Sequence, residues 1–190
     1  DLQKIICDIK TSLDHPFGIH THNDSECAVV NSLTAIREGA IQVQGTINGV
    51  GERCGNANLV SIMADLELKM GYSCLPAGNI QHLYDLSHFV AEVANITPDE
   101  HLPFVGKSAF AHKGGVHVAA MRRNAKSYQH VEPELVGNKM RVVVSDLSGR
   151  GNLLSKAEEH GVEVEGAEVL PVLNEIKELE SRGFSFEAAE

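Results

Sequence analysis

The chain has 190 residues, 43% of them hydrophobic, and a formal charge of -10. That length and apolar content exclude a disordered polypeptide and suffice for one substantial core or two small ones. The negative charge argues against nucleic acid as a partner, because such binding needs a basic face that displaces counterions from phosphates. A membrane is not expected either, since no apolar run approaches the roughly 20 residues that span a bilayer.

Leu2, Ile5, Ile6, Ile9 and Leu13 recur at helical spacing and predict a helix over residues 2–13 that ends before Pro16. A strand is expected over residues 17–20, then a helix over 25–38 with Val29, Val30, Leu33 and Ile36 as its apolar stripe and Gly39 as its stop. Residues 41–45 predict a second strand, residues 48–55 a loop, and Leu59, Ile62, Met63, Leu66 and Met70 a further helix. This alternation is that of parallel α/β architecture, in which reactive side chains gather where strands end. Two strands cannot close a parallel sheet, so the segment is expected to be the end of a barrel or open sheet. Beyond Pro76 and Gly78, helices are predicted over residues 80–93, 109–124 and 169–181 and, after the segment Gly149 to Gly151, up to His160, with a strand over 140–144.

Four cysteines, Cys7, Cys27, Cys54 and Cys74, lack any CxxC spacing. They are expected to be reduced thiols of a cytoplasmic protein. No signal-peptide pattern opens the sequence; residues 1–6 begin in the middle of an amphipathic pattern, as expected of a piece of a longer polypeptide. Residues 101–131 contain no Asp or Glu but hold Lys107, Lys113, Arg122, Arg123, Lys126 and four histidines. An anionic ligand or a solvated helical face accounts equally well for that stretch.

Two motifs carry chemistry. In His20-Thr21-His22-Asn23-Asp24 the two histidines share one face of an extended segment, because side chains two apart on a strand point the same way. Convergent imidazoles suit a divalent transition metal, and a hydrogen-bonded or surface pair is the rival reading. Asn48-Gly49-Val50-Gly51-Glu52-Arg53-Cys54-Gly55-Asn56 follows the second strand. Its GxGxxxG spacing differs from a dinucleotide fingerprint. It presents Glu52, Arg53 and Asn56 from one tight loop, with Asn56 able to offer a carbonyl oxygen to a metal and Glu52 with Arg53 able to form a structural ion pair instead.

Together these motifs resemble the last two barrel strands of the 2-isopropylmalate synthase, homocitrate synthase and citramalate synthase family, within the DRE-TIM metallolyase superfamily. Phe110 to His117 and the tyrosine-containing segment Tyr128 to Gly137 are similar to that family's accessory region. The resemblance implies an α/β fold: the last two strands and helices of a TIM (β/α)8 barrel in residues 1–75, a helical linker subdomain in 76–125, and a second, α+β accessory subdomain in 126–190. It implies His20, His22 and Asn56 as ligands of a divalent cation (Mn, Mg or Zn), with the first-strand aspartate and its neighbouring arginine having no counterpart in this chain. It also implies catalytic roles for His117, Tyr128 and Glu52, the first two contributed across a homodimer to the other subunit's site. Asn23 and Asp24 are expected to orient the histidines.

The implied reaction is a Claisen-type condensation of acetyl-CoA, as co-substrate, with a 2-oxo acid. Most of the family follows His-Asn-Asp with one residue and then glycine. Here Ser25-Glu26-Cys27 stands, similar to the longer citramalate synthases that use pyruvate; 2-isopropylmalate and homocitrate synthesis are the alternatives. The isolated chain is expected to turn over negligibly. Two other classes are weighed against this: a metal-dependent hydrolase, whose HxHxDH pattern fails because Ser25 replaces the last histidine, and a non-catalytic dimerisation or regulatory fragment.

Overall fold

A computed structural model describes residues 2–112, 120, 124, 127–142, 150–164 and 167–184. Two compact units share them: Asp1–Ala109 with Glu134–Asn138, and Phe110–Pro133 with Lys139–Glu190. The first is α/β and carries both motifs.

In it, α1 (Leu2–Ser12) buries Ile6 against Ala35 and Ala40, with Leu2, Phe17 and Ile19 packed around them. The helix stops where Thr11 and Ser12 turn their hydroxyls back onto the Cys7 and Asp8 carbonyls, ahead of Pro16. β1 (Gly18–His20) then pairs in parallel with β2 (Gln42–Gln44), Ile19 opposite Val43 and His20 opposite Gln44. The crossover between them is α2 (Ala28–Arg37).

α2 departs from expectation in two ways. It begins at Ala28 rather than Ser25, because Glu26 takes a left-handed φ of 56° and Glu26 N–H bonds back to the Asn23 carbonyl at 3.0 Å. Its most deeply buried seam is Ala28, Ser32 and Ala35 rather than the bulky stripe, and Val30 lies exposed. Small residues let the helix lie close to its neighbours, while Val29, Leu33 and Ile36 fill the margins of a core made by Ala28, Ala57, Ile62 and Leu66.

α3 (Leu59–Leu68) is capped by Asn58, whose side-chain oxygen accepts the Val60 N–H at 3.0 Å. Glu67 then orders the turn beyond the helix by accepting the Cys74 and Leu75 N–H groups, which holds its carboxyl below the usual range. The helix expected over 80–93 divides into a 3-10 turn, Asn79–His82, and α4 (Leu83–Val93), which buries Leu83, Ser87 and Ala91. Val136 and Asn138 return to this unit, and buried Asn138 donates to the Phe104 and Gly106 carbonyls at 3.0 Å each. Among the described residues, no helix is long and apolar enough to cross a membrane.

The second unit contains β3 (Ala111–His112), parallel to β4 (Arg141–Val142), then α5 (Arg150–Glu159) and α6 (Val169–Ser181). The start of the helix expected over 109–124 is thus corrected: Ala111 and His112 are extended, with Arg141 N–H bonded to the Phe110 carbonyl at 3.1 Å. Long-range pairing overrides local propensity there. The Phe110 and His130 rings stack with centroids 5.9 Å apart, and Val169 and Leu173 bury one side of α6.

Candidate metal centre

The carboxyl end of β1 and the loop after β2 meet. Strand alternation sends Thr21 towards α2, where its hydroxyl reaches the Ala28 carbonyl and the Ser32 hydroxyl at 3.0 Å each. It sends His20 and His22 the other way, and their Nε2 atoms stand 3.3 Å apart with the rings edge to face. Two nitrogen ligands each about 2.0–2.1 Å from one cation, at a near-tetrahedral angle, lie about 3.3 Å apart.

Asn56 sits opposite His22 in an antiparallel bridge. The backbone bonds flank that pair, Ala57 N–H to the Thr21 carbonyl at 3.1 Å and Asn23 N–H to the Gly55 carbonyl at 2.9 Å. Such a non-hydrogen-bonded pair brings its side chains closest. Asn56 Nδ2 donates to the Val50 carbonyl at 3.2 Å, which fixes the amide; its Oδ1 is buried and makes no hydrogen bond. His22 Nδ1 is likewise buried without a partner. Buried polar atoms without a hydrogen bond are rare in native proteins, and an amide oxygen together with two imidazole nitrogens is a donor set that suits a divalent cation. Among the described residues no three His, Cys, Asp or Glu gather as a metal site, so a third protein donor here would have to be another group, such as the Asn56 amide oxygen.

Glycine makes the loop possible. A β-carbon on Gly51 would lie 2.8 Å from Asn56 Cγ, and one on Gly55, whose φ is 93°, would run into the Gly49 carbonyl oxygen. That same oxygen accepts the Asn56 N–H at 3.0 Å.

The other expected site residues are placed differently. Glu52 is 87% exposed, 3.9 Å from the Arg53 guanidinium. The fork of Arg53 goes to Asp24 instead, Nε to Oδ1 at 2.6 Å and Nη2 to Oδ2 at 3.0 Å. That hydrogen-bonded cation holds the Asp24 carboxyl below its ordinary range against the opposing effect of desolvation. Asn23 caps α2, its Oδ1 accepting the Ala28 N–H at 3.2 Å. Asn23 and Asp24 therefore brace the loop and the helix rather than the imidazole rings. Tyr128 lies half-exposed in a turn of the second unit. His117 falls outside the described residues, as do Lys113, Arg122, Arg123 and Lys126.

One structural residue was not singled out in the sequence. Asn48, at φ 62°, donates from Nδ2 to the Ser87 carbonyl at 2.8 Å and accepts the Ser87 hydroxyl at 2.6 Å, tying the start of the loop to α4. An Asn-Gly pair announces such a left-handed residue, but nothing local announces Ser87.

Comparison with known proteins agrees along the chain. The HMGL-like family matches residues 1–91, and the homocitrate synthase post-HMGL domain-like family matches residues 104–183. The chain is 56% identical over its whole length to an (R)-citramalate synthase of Geobacter sulfurreducens. It is 54% identical over 93% of its length to that of Aquifex aeolicus, and 51% over 91% to that of Synechocystis. The chain belongs to the citramalate synthase, 2-isopropylmalate synthase and homocitrate synthase family. It spans 36%, 34% and 32% of those three relatives' own lengths.

Glu26 holds a left-handed φ of 56°, a conformation more natural to glycine. A side chain in that conformation costs about 1–2 kcal/mol.

Proposed function

We propose that this chain is the cation-holding and accessory portion of a synthase that condenses acetyl-CoA with pyruvate to give citramalate and CoA. The observation that carries this reading is the convergence of the His20 and His22 Nε2 atoms, 3.3 Å apart, with Asn56 in register opposite His22. The (R)-citramalate synthase names of its most similar relatives support pyruvate as the 2-oxo acid. On this reading residues 1–75 close a TIM barrel, 76–125 form a linker and 126–190 an accessory subdomain, in a cytoplasmic homodimer.

His20, His22 and the Asn56 oxygen would hold the divalent cation, which when bound supplies Lewis-acid polarisation of the 2-oxo carbonyl. His117 takes a proton from the acetyl methyl carbon, a role suited to imidazole because its ordinary pKa lies near neutrality. The resulting carbanion forms the new carbon–carbon bond at the keto carbon as the carbonyl π bond opens, the keto oxygen takes up a proton to become the hydroxyl, and water then cleaves the thioester, giving a carboxylate and releasing CoA as a thiol. Tyr128 orients the reacting groups by hydrogen bonding, and Glu52 offers an exposed carboxylate at the rim of the loop.

Thiol release from acetyl-CoA tests the reading, in a polypeptide of the length its relatives have. With pyruvate, 2-oxoisovalerate and 2-oxoglutarate compared, kcat/KM is expected to favour pyruvate by at least about 100-fold. Preference for either larger acid would replace citramalate by the corresponding product. Replacing His117 there should lower kcat far more than it weakens pyruvate binding.

A further inference from the structure

The histidine segment and the glycine-rich loop are joined by side chains at one place outside the ligand set. Asp24 stands two residues after His22, and Arg53 three before Asn56. Their two-point contact, at 2.6 and 3.0 Å, closes the open end of the short ladder in which Thr21 bonds Ala57 and Asn23 bonds Gly55. The pair is half-exposed, with side chains 55% and 46% accessible, so its contribution to global stability is small. Arg53 also has a φ of 57°, a conformation for which glycine, asparagine or aspartate would be the better backbone choice. An exposed pair held on an unfavourable backbone points to a geometric role.

We propose that Asp24 and Arg53 form a positioning latch that holds Asn56 in register with His22 and thereby sets the affinity of the site for its cation. This inference rests on the cation-site reading above. The planar guanidinium fixes both distance and angle to a carboxylate, which lysine cannot do. The bond fixes the loop in its cation-holding form before any ligand arrives.

Electrostatics alone and the latch make opposite predictions for one substitution. Removing the positive charge of Arg53 from the neighbourhood of a divalent cation favours binding by Coulomb's law. Breaking a latch disfavours it. Arg53→Asn is the discriminating variant, since asparagine accepts the left-handed backbone without adding glycine's freedom.

In a polypeptide of the length its relatives have, the unsubstituted chain and its variants are titrated with Mn2+, following free Mn2+ by electron paramagnetic resonance, and their thermal midpoints are recorded alongside. Arg53→Asn and Asp24→Asn are each expected to lower affinity about 10-fold, with midpoints close to that of the unsubstituted chain. Arg53→Lys should fall between, and the exchange D24R/R53D should recover part of the loss. An Arg53→Asn variant that binds Mn2+ as tightly as the unsubstituted chain, or more tightly, would overturn the latch while leaving the cation site standing. If the unsubstituted chain binds no Mn2+, the cation site itself fails and the latch with it.

Discussion

Replacing His20 or His22 by alanine is expected to lower the affinity of the chain for Mn2+ or Zn2+ by about 100-fold or more, a larger loss than the 10–100-fold typical of residues that merely orient ligands. The expectation follows from the directions of the side chains. Both Nε2 atoms face one point 3.3 Å from each other, while Thr21 between them is spent on α2. If the two rings formed only a hydrogen-bonded pair, one nitrogen would carry the proton and act as donor, and neither substitution would alter cation uptake. His15 and His82 lie away from the two motifs in the sequence, so alanine at either position should leave the titration unchanged. Calorimetric titration of the four variants separates the cases.

Gly55→Ala is expected to destabilise the fold by about 3 kcal/mol, combining about 1–2 kcal/mol for a β-carbon at positive φ with about 1–3 kcal/mol for crowding a packed loop. Gly55 is buried, has φ 93°, and would direct its new methyl group into the Gly49 carbonyl oxygen that holds Asn56 N–H. Gly71→Ala is the natural comparison, because Gly71 also has a positive φ, 74°, but nothing lies within 4 Å of its added carbon. It carries the backbone cost alone, about 1–2 kcal/mol. Urea denaturation of both variants measures the difference. Equal losses would mean that the Gly49–Asn56 turn yields to the methyl group, and Asn56 would then not be held as described.

Much of the first unit was legible because its signals are local. Apolar periodicity located α1 and α3, and it also gave the last helix its observed limits, Val169–Ser181. Strand alternation was enough to send His20 and His22 to one side. The start of α2 was misjudged because Ser25 has the side chain of a good cap, yet Asn23 reaches forward to Ala28 and the intervening Glu26 leaves helical space. The pairing of Ala111–His112 with Arg141–Val142 was invisible for another reason: two-residue strands have no period, and their partners lie about 30 positions away.

The site divides in the same way. The chemistry of Asn56 marked it as an oxygen donor, but that it faces His22 depends on a bridge across 34 positions. The ties from Asp24 to Arg53 and from Asn48 to Ser87 join residues 29 and 39 apart. Charge and polarity mark such residues as available for pairing, but only the folded backbone selects their partners. Arg53 shows the limit most clearly, since its neighbour in sequence, Glu52, keeps only a 3.9 Å ion pair while the two-point hydrogen bond goes to Asp24.

The claim that both motifs serve a single cation is tested most directly by the metal-edge X-ray absorption spectrum of the Zn2+-loaded chain. Ligation by His20, His22 and Asn56 predicts scattering from two imidazole rings with the remaining ligands oxygen. It also predicts one ring fewer after His22→Ala. A spectrum with no imidazole, or one unchanged by that substitution, would contradict it.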